Sequence, residues 1–154
     1  DIMNMMRIYR IAYAIVDWGF GYTQYKKMQK IFGSRVAACY YSFNLKADTK
    51  WHPEDQKWVV NRTRIMTEYI NAIKQMDIVW PGNSKSEYQW LMDHHLAELS
   101  EYRKSQNGKS EDLMYTHPEG QPDDGVHAGV YAYLASKLYK KGVGSQVTFS
   151  GFTG

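Results

Sequence analysis

The chain has a single cysteine, Cys39, among its 154 residues. One thiol excludes an intrachain disulfide and any cysteine-based metal cluster, which fits a reducing compartment. No apolar run reaches membrane-spanning length. No GxxxxGK[ST] segment occurs, so the chain carries no P-loop phosphate cradle. Charge of one sign is also lacking: the net charge is +3 and the basic residues are dispersed. That balance permits contact with nucleic acid without demanding it. Internal repeats and a chain-splitting linker are absent, so residues 1–154 read as one domain.

Aromatic residues are plentiful, with 13 Tyr and 5 Trp. Such side chains line half-apolar, half-wet surfaces or stack on bases. Hydrophobic content of 44% suffices for a core.

Residues 1–10 read as the remnant of an amphipathic helix, as expected of a chain cut from something longer. Ile11–Val16 reads as a strand. The glycines of Asp17-Trp18-Gly19-Phe20-Gly21 break it, and Tyr22–Phe32 reads as a helix ended by Gly33. Val36–Tyr41 is the next strand. Strand, helix, strand predicts a parallel pair with a right-handed crossover. Residues 42–56 are polar and predict a long loop. Lys57–Val60 reads as a short strand. Asn61 or Thr63 can cap a helix over Arg64–Met76, with Ile65, Tyr69, Ile70 and Ile73 on one face. Ile78–Pro81 reads as extended and Gly82–Ser86 as a turn. Tyr88, Leu91, His95, Leu99 and Tyr102 recur at helical spacing and predict a helix to about Tyr102. After a polar turn at 104–111, Leu113–His117 reads as extended. The last helix is predicted from Asp124 to about Lys141, with Val126, Val130, Tyr133, Leu134 and Leu138 as its buried stripe. The tail is Gly- and Ser-rich, and Gln146–Phe149 reads as an edge strand.

Two acidic stations stand out. Asp17 ends an apolar strand, and in open α/β sheets that carboxyl edge binds ligands. Asp123 and Asp124 open the last helix, where Asp124 and His127 share a face. Carboxylates gathered at element ends are what a metal-dependent phosphodiester site needs. Each residue also has a plainer reading. Asp123 serves as a helix N-cap, Asp124 as a first-turn partner of the helix dipole, His127 as a packed histidine and Asp17 as a loop-capping carboxylate. Arg62 and Arg64 flank a helix start and can contact phosphate or simply face solvent. Adjacent His94 and His95 point about 100° apart and cannot easily share one metal; His95 reads as core-edge and His94 as exposed. His52, Glu54 and Asp55 read as solvated loop residues. His117 lies near the acidic cluster in sequence.

In order and motif the chain resembles the nuclease domain of a viral large terminase. Three segments carry the likeness: Ile15-Val16-Asp17-Trp18-Gly19-Phe20-Gly21; Asn61-Arg62-Thr63-Arg64-Ile65-Met66 with Ile78-Val79-Trp80-Pro81; and Pro122-Asp123-Asp124-Gly125-Val126-His127-Ala128 with Tyr131-Ala132-Tyr133-Leu134-Ala135. Together they span roughly residues 1–140. The resemblance implies an RNase H-like α/β fold with a mixed sheet and flanking helices. It implies an endonuclease that cuts concatemeric double-stranded DNA with two Mg or Mn ions. Asp17 and Asp124 would be catalytic, with Asp123 and His127 as further metal ligands and Arg62 and Arg64 on the substrate. Partners would be the terminase ATPase domain, the small terminase and the portal, with no membrane, in the cytoplasm of the infected host cell. The family's first acidic strand should precede the helix at 1–10, so the chain resembles the C-terminal part of that domain and is expected to act weakly alone. Making Ile11–Val16 the first strand would need a hairpin where 22–32 reads as helix. Two other functions fit the same residues: another RNase H-like nuclease of resolvase or recombinase type, and a non-catalytic DNA-binding or assembly module.

Overall fold

The computed structural model describes residues 2–19, 21–43, 45–80, 87–104 and 111–142. The segments at 81–86 and 105–110 and the tail, including the strand expected at 146–149, lie outside the described residues. The protein is a mixed α/β chain that divides into two compact units. One comprises residues 1–61 and 131–154, the other residues 62–130.

The first unit opens with α1 (Ile2–Ile8). Arg10, at φ 48°, turns the chain out of it. The Ile11 amide then donates to the Met6 carbonyl at 3.0 Å, satisfying an orphan carbonyl of the helix end. β1 is shorter than expected, Ala14–Asp17 rather than 11–16, because this exit turn occupies its start. α2 covers Tyr22–Phe32 as expected. Gly33 ends it at φ 57° and ψ −133°, a positive-φ conformation that glycine adopts without a β-carbon clash. A 3₁₀ turn at Gly33–Arg35 leads into β2 (Val36–Ser42). β1 and β2 pair in parallel, so the predicted crossover unit is present.

Residues 42–56 depart from the expected loop. They contain β3 (Thr49–His52), which pairs antiparallel with β4 (Lys57–Asn61). Trp51 lies opposite Trp58, with ring centroids 4.8 Å apart. Trp51 makes this cross-strand aromatic contact from between polar Lys50 and His52, so local composition hid β3. β4 also pairs in parallel with β2, giving the order β1-β2-β4-β3. Asn61 is buried, and its side-chain amide donates to the Leu45 carbonyl at 2.8 Å.

Side chains alternate across this sheet. Ala14, Val16, Val36 and Ala38 pack with Met6, Tyr25 and Met28 from α1 and α2. Asp17 is paired in register with Cys39, and both belong to the opposite face.

The second unit begins with α3 (Arg62–Lys74), two residues earlier than expected. Ile65, Met66, Tyr69 and Ala72 are buried. α4 (Gln89–Ala97) is followed at once by β5 (Leu99–Lys104), which pairs antiparallel with β6 (Glu111–Thr116). The helix expected to reach Tyr102 therefore stops at Ala97. Leu99 and Tyr102 continue the helical spacing, but they pair across a hairpin with Thr116 and Leu113. α3 holds that hairpin from its first turns. Arg62 Nη1 donates to the Tyr115 carbonyl at 2.6 Å, and Thr63 Oγ1 to that of Leu113 at 3.1 Å. α5 (Asp124–Lys140) closes the described chain. Its residues 124–130 belong to the second unit and 131–140 to the first. Val126, Val130, Leu134 and Leu138 are buried, as the stripe predicts, and Tyr133 is half-buried.

Candidate functional site

In the first unit Asp17 is the last residue of β1 and is exposed. The backbone leaves the sheet immediately after it, once the Trp18 amide has donated to the Cys39 carbonyl at 2.9 Å. Gly19 and Gly21 permit the turn into α2. A β-carbon on Gly21 would lie 2.8 Å from the Asp17 carbonyl oxygen, which is backbone and cannot move aside. Tyr131 of α5 donates its hydroxyl to Asp17 Oδ1 at 3.2 Å and stacks on Tyr41, with centroids 5.5 Å apart. Burial, reinforced by the neighbouring Cys39 and Asp17, pushes the Tyr131 phenol far up, so it remains a donor. Burial, and then the Asp17 carboxylate, push the Cys39 thiol up, so it is an inert, protonated side chain.

The second unit holds a denser group. Asp123 lies one residue before α5. His127, one turn on, brings Nε2 to 3.0 Å from Asp123 Oδ2. His117, just past β6, brings Nδ1 to 3.2 Å from the same oxygen. Glu98 connects α4 to β5 and completes the group: one donor atom each from Glu98, His117 and Asp123 lie within 4.8 Å of one another. Arg62 Nη2 stands 3.6 Å from Glu98 Oε1, beyond hydrogen-bond reach. Burial raises the Glu98 carboxyl; Arg62, His127 and His117 pull it back, and Asp123 adds to the rise.

Of the residues singled out in the sequence, Asp123, His127 and Arg62 thus join one group, with His117. Asp124 is exposed in the first turn of α5, and Arg64 is exposed on α3. Asp17 belongs to the other unit. Two residues are placed differently from expectation. His94 is half-buried rather than exposed, and its Nδ1 accepts the Gly125 amide at 2.9 Å. Asp55 is not merely solvated, since it pairs with Lys57 at 2.9 Å. His95 sits at the core edge as expected, hydrogen-bonded to Tyr69 at 2.7 Å.

No family model, curated protein or solved structure matches this chain. The chemistry is therefore argued from these residues.

Glu98 had no signal in the sequence, because it sat inside a segment whose spacing read as uninterrupted helix. His117 was reachable only by its closeness in sequence to Asp123. The donors fit a metal unevenly. Asp17 and Asp124 offer carboxylate oxygens, which suit Mg or Mn. The Glu98 group mixes imidazole nitrogen with carboxylate oxygen, which suits Mn better than Mg. Among the described residues, no helix is long and apolar enough to cross a membrane.

Proposed function

We propose that the chain is a metal-dependent DNA endonuclease domain with an RNase H-like fold, of the kind that cuts concatemeric genomes during viral packaging. The observation that carries this reading is Asp17: an exposed carboxylate at the carboxyl end of a parallel strand, braced by a tyrosine at 3.2 Å. A carboxylate in that position serves a ligand better than it serves the core, because ligands of open α/β sheets bind beyond the carboxyl ends of strands. The mixed sheet, parallel through β1, β2 and β4 with an antiparallel edge in β3, is compatible with the RNase H-like class. The acidic start of α5, with Asp123, Asp124 and His127, supports the second station.

In this reading Asp17 and Asp124 are the carboxylates on which cleavage depends. Mg or Mn, when bound, polarises the phosphoryl oxygen and makes water a nucleophile near neutral pH. Tyr131 fixes the Asp17 carboxylate. His127 orients Asp123. Arg62 Nη1 donates to the Tyr115 carbonyl, and Arg64, exposed on α3, is the proposed phosphate contact. Double-stranded DNA is the proposed substrate. An ATPase motor domain, a small terminase and a portal are the proposed partners, with action in the cytoplasm of the infected host.

The test is nicking of supercoiled plasmid in Mn, with chelator as control. Slow, metal-dependent nicking is expected, lost in Asp17→Asn and in Asp124→Asn with circular dichroism unchanged. Slow nicking is expected because the resemblance requires three acidic stations and two are assigned. Nicking that survives both substitutions would overturn the assignment. Cleavage confined to branched DNA would favour a resolvase.

A further inference from the structure

Buried polar atoms almost always find a partner, and those that do not call for an explanation. Among the described residues, the buried side-chain atoms without a hydrogen bond are Arg35 Nε, Gln56 Oε1, both carboxylate oxygens of Glu98, and His117 Nδ1. Three of these five belong to one group, the group that also holds Asp123; His117 Nδ1 has only the Asp123 carboxylate near it, at 3.2 Å, and Glu98 only Arg62, at 3.6 Å. The Glu98 side chain is only 2% exposed. A carboxylate buried so fully, with neither oxygen hydrogen-bonded, is costly in a folded protein.

We propose that Glu98, His117 and Asp123 form a binding site for a divalent transition-metal ion. The site is contained in residues 62–130, and the inference does not rest on the nuclease reading. Two carboxylates and one imidazole are three donors, the number that leaves an open position on a metal such as zinc. Their two negative charges would balance a dication. Bonds of about 2.0–2.2 Å place ligand atoms roughly 3–4 Å apart around such an ion. The three donor atoms lie within 4.8 Å of one another. Closing the site therefore needs side-chain adjustments of about an ångström and no rearrangement of the hairpin. Imidazole nitrogen favours Mn, Co or Zn over Mg and Ca.

The supporting contacts have the form such a site requires. His127 Nε2 holds Asp123 Oδ2 at 3.0 Å, so it orients a ligand without being one. Arg62 Nη1 is fixed on the Tyr115 carbonyl, and its Nη2 faces Glu98 from 3.6 Å, which limits how far that carboxylate can swing. Thr63 and Thr67 bind Leu113 and Tyr115, which fixes the strand that delivers His117.

The competing account is a neutral, protonated Glu98 that needs no ion. The two accounts separate on metal binding alone, without DNA. The metal-free chain is titrated with Co(II) and followed by visible absorption, then with Mn by electron paramagnetic resonance. One Mg-resistant Co(II) per chain is expected, with ligand-field bands that a large excess of Mg does not displace. Glu98→Gln and His117→Ala should each weaken binding by at least about tenfold, as should His127→Ala through loss of the Asp123 contact. Glu119→Gln, an exposed change, should leave binding alone. Wild-type chain that gives no Co(II) bands overturns the proposal, whatever the variants do. So does Glu98→Gln that binds like wild type with an unchanged circular dichroism spectrum. Neither result touches the plasmid assay with Asp17 and Asp124, so failure here and failure of the nuclease reading remain distinct.

Discussion

Asp17 and Glu98 are both carboxylates at the end of a secondary-structure element, and their surroundings are opposite. Asp17 faces solvent and receives a hydrogen bond from Tyr131. The Glu98 side chain is buried, and neither of its oxygens has a hydrogen bond. An exposed, braced carboxylate is stable without a ligand and ready for one. A buried carboxylate that has no hydrogen bond, and only Arg62 facing it at 3.6 Å, is costly until a bound ion or a proton neutralises it. The first can tolerate an empty site; the second makes the local structure depend on what fills it.

The Asp17 arrangement depends on a close backbone approach, and breaking that should have the largest effect on stability. Gly21→Ala would put a β-carbon 2.8 Å from the Asp17 carbonyl. The expected cost is about 1–3 kcal/mol in denaturant unfolding, with the usual alanine gain in a helix unavailable at this position before α2. A variant as stable as wild type would show that the turn can open freely.

The Glu98 arrangement depends instead on the hairpin brace. Thr63→Val removes the hydrogen bond to Leu113 while keeping shape. A loss of about 0.5–1.5 kcal/mol is expected. Co(II) affinity should fall along with it, since His117 follows the braced strand. Unchanged affinity would show that His117 is positioned by something other than β6.

Each unit also carries a buried phenol. Burial raises Tyr25 to about 12, helped by Asp55, Tyr13 and Tyr22. Burial alone raises Tyr69 to about 12. An unburied tyrosine ionises near about 10. A raised folded value means the neutral form is favoured by folding. That stability is fully present below about 10 and is lost as pH rises toward about 12. Unfolding measured from neutral pH upward should therefore show stability falling in that window. The double variant Tyr25→Phe, Tyr69→Phe should have a shallower fall. An identical slope would remove burial of these phenols as the cause.

The smallest expected effect is that of Tyr131→Phe. The lost bond to Asp17 is long and its acceptor faces solvent, and a phenylalanine ring can still stack on Tyr41, so stability should change by less than about 0.5 kcal/mol. Cleavage should fall more than stability does, because the carboxylate loses its brace. If stability and cleavage fall together, Tyr131 is a packing residue.

Legibility followed the range of the interactions. The β1–α2–β2 crossover was readable because each signal is local: β-branched Ile15 and Val16, the glycines after Asp17, and Gly33 at the helix end. The stripe on α5 was readable because Val126, Val130, Leu134 and Leu138 repeat within one element. β3 was not readable, since Thr49–His52 becomes a strand only by lying against Trp58 and its neighbours. β5 was misread because Leu99 and Tyr102 fit a helical period, and only pairing with residues 111–116 overrides it. That misreading hid Glu98. The acidic residues at α5 were legible as candidates, but their partners come from three other elements that the sequence could not bring together.

The most direct test of the functional claim is the single-turnover cleavage rate of Asp17→Asn at saturating Mn, measured against wild type on the same supercoiled plasmid. The substitution keeps the side chain's shape and removes its charge. The account predicts that metal-dependent nicking by the variant falls to the level of the chelator control, with secondary structure unchanged. Nicking within about twofold of wild type would be worth less than about 0.5 kcal/mol of transition-state stabilisation, and would contradict a catalytic role for Asp17.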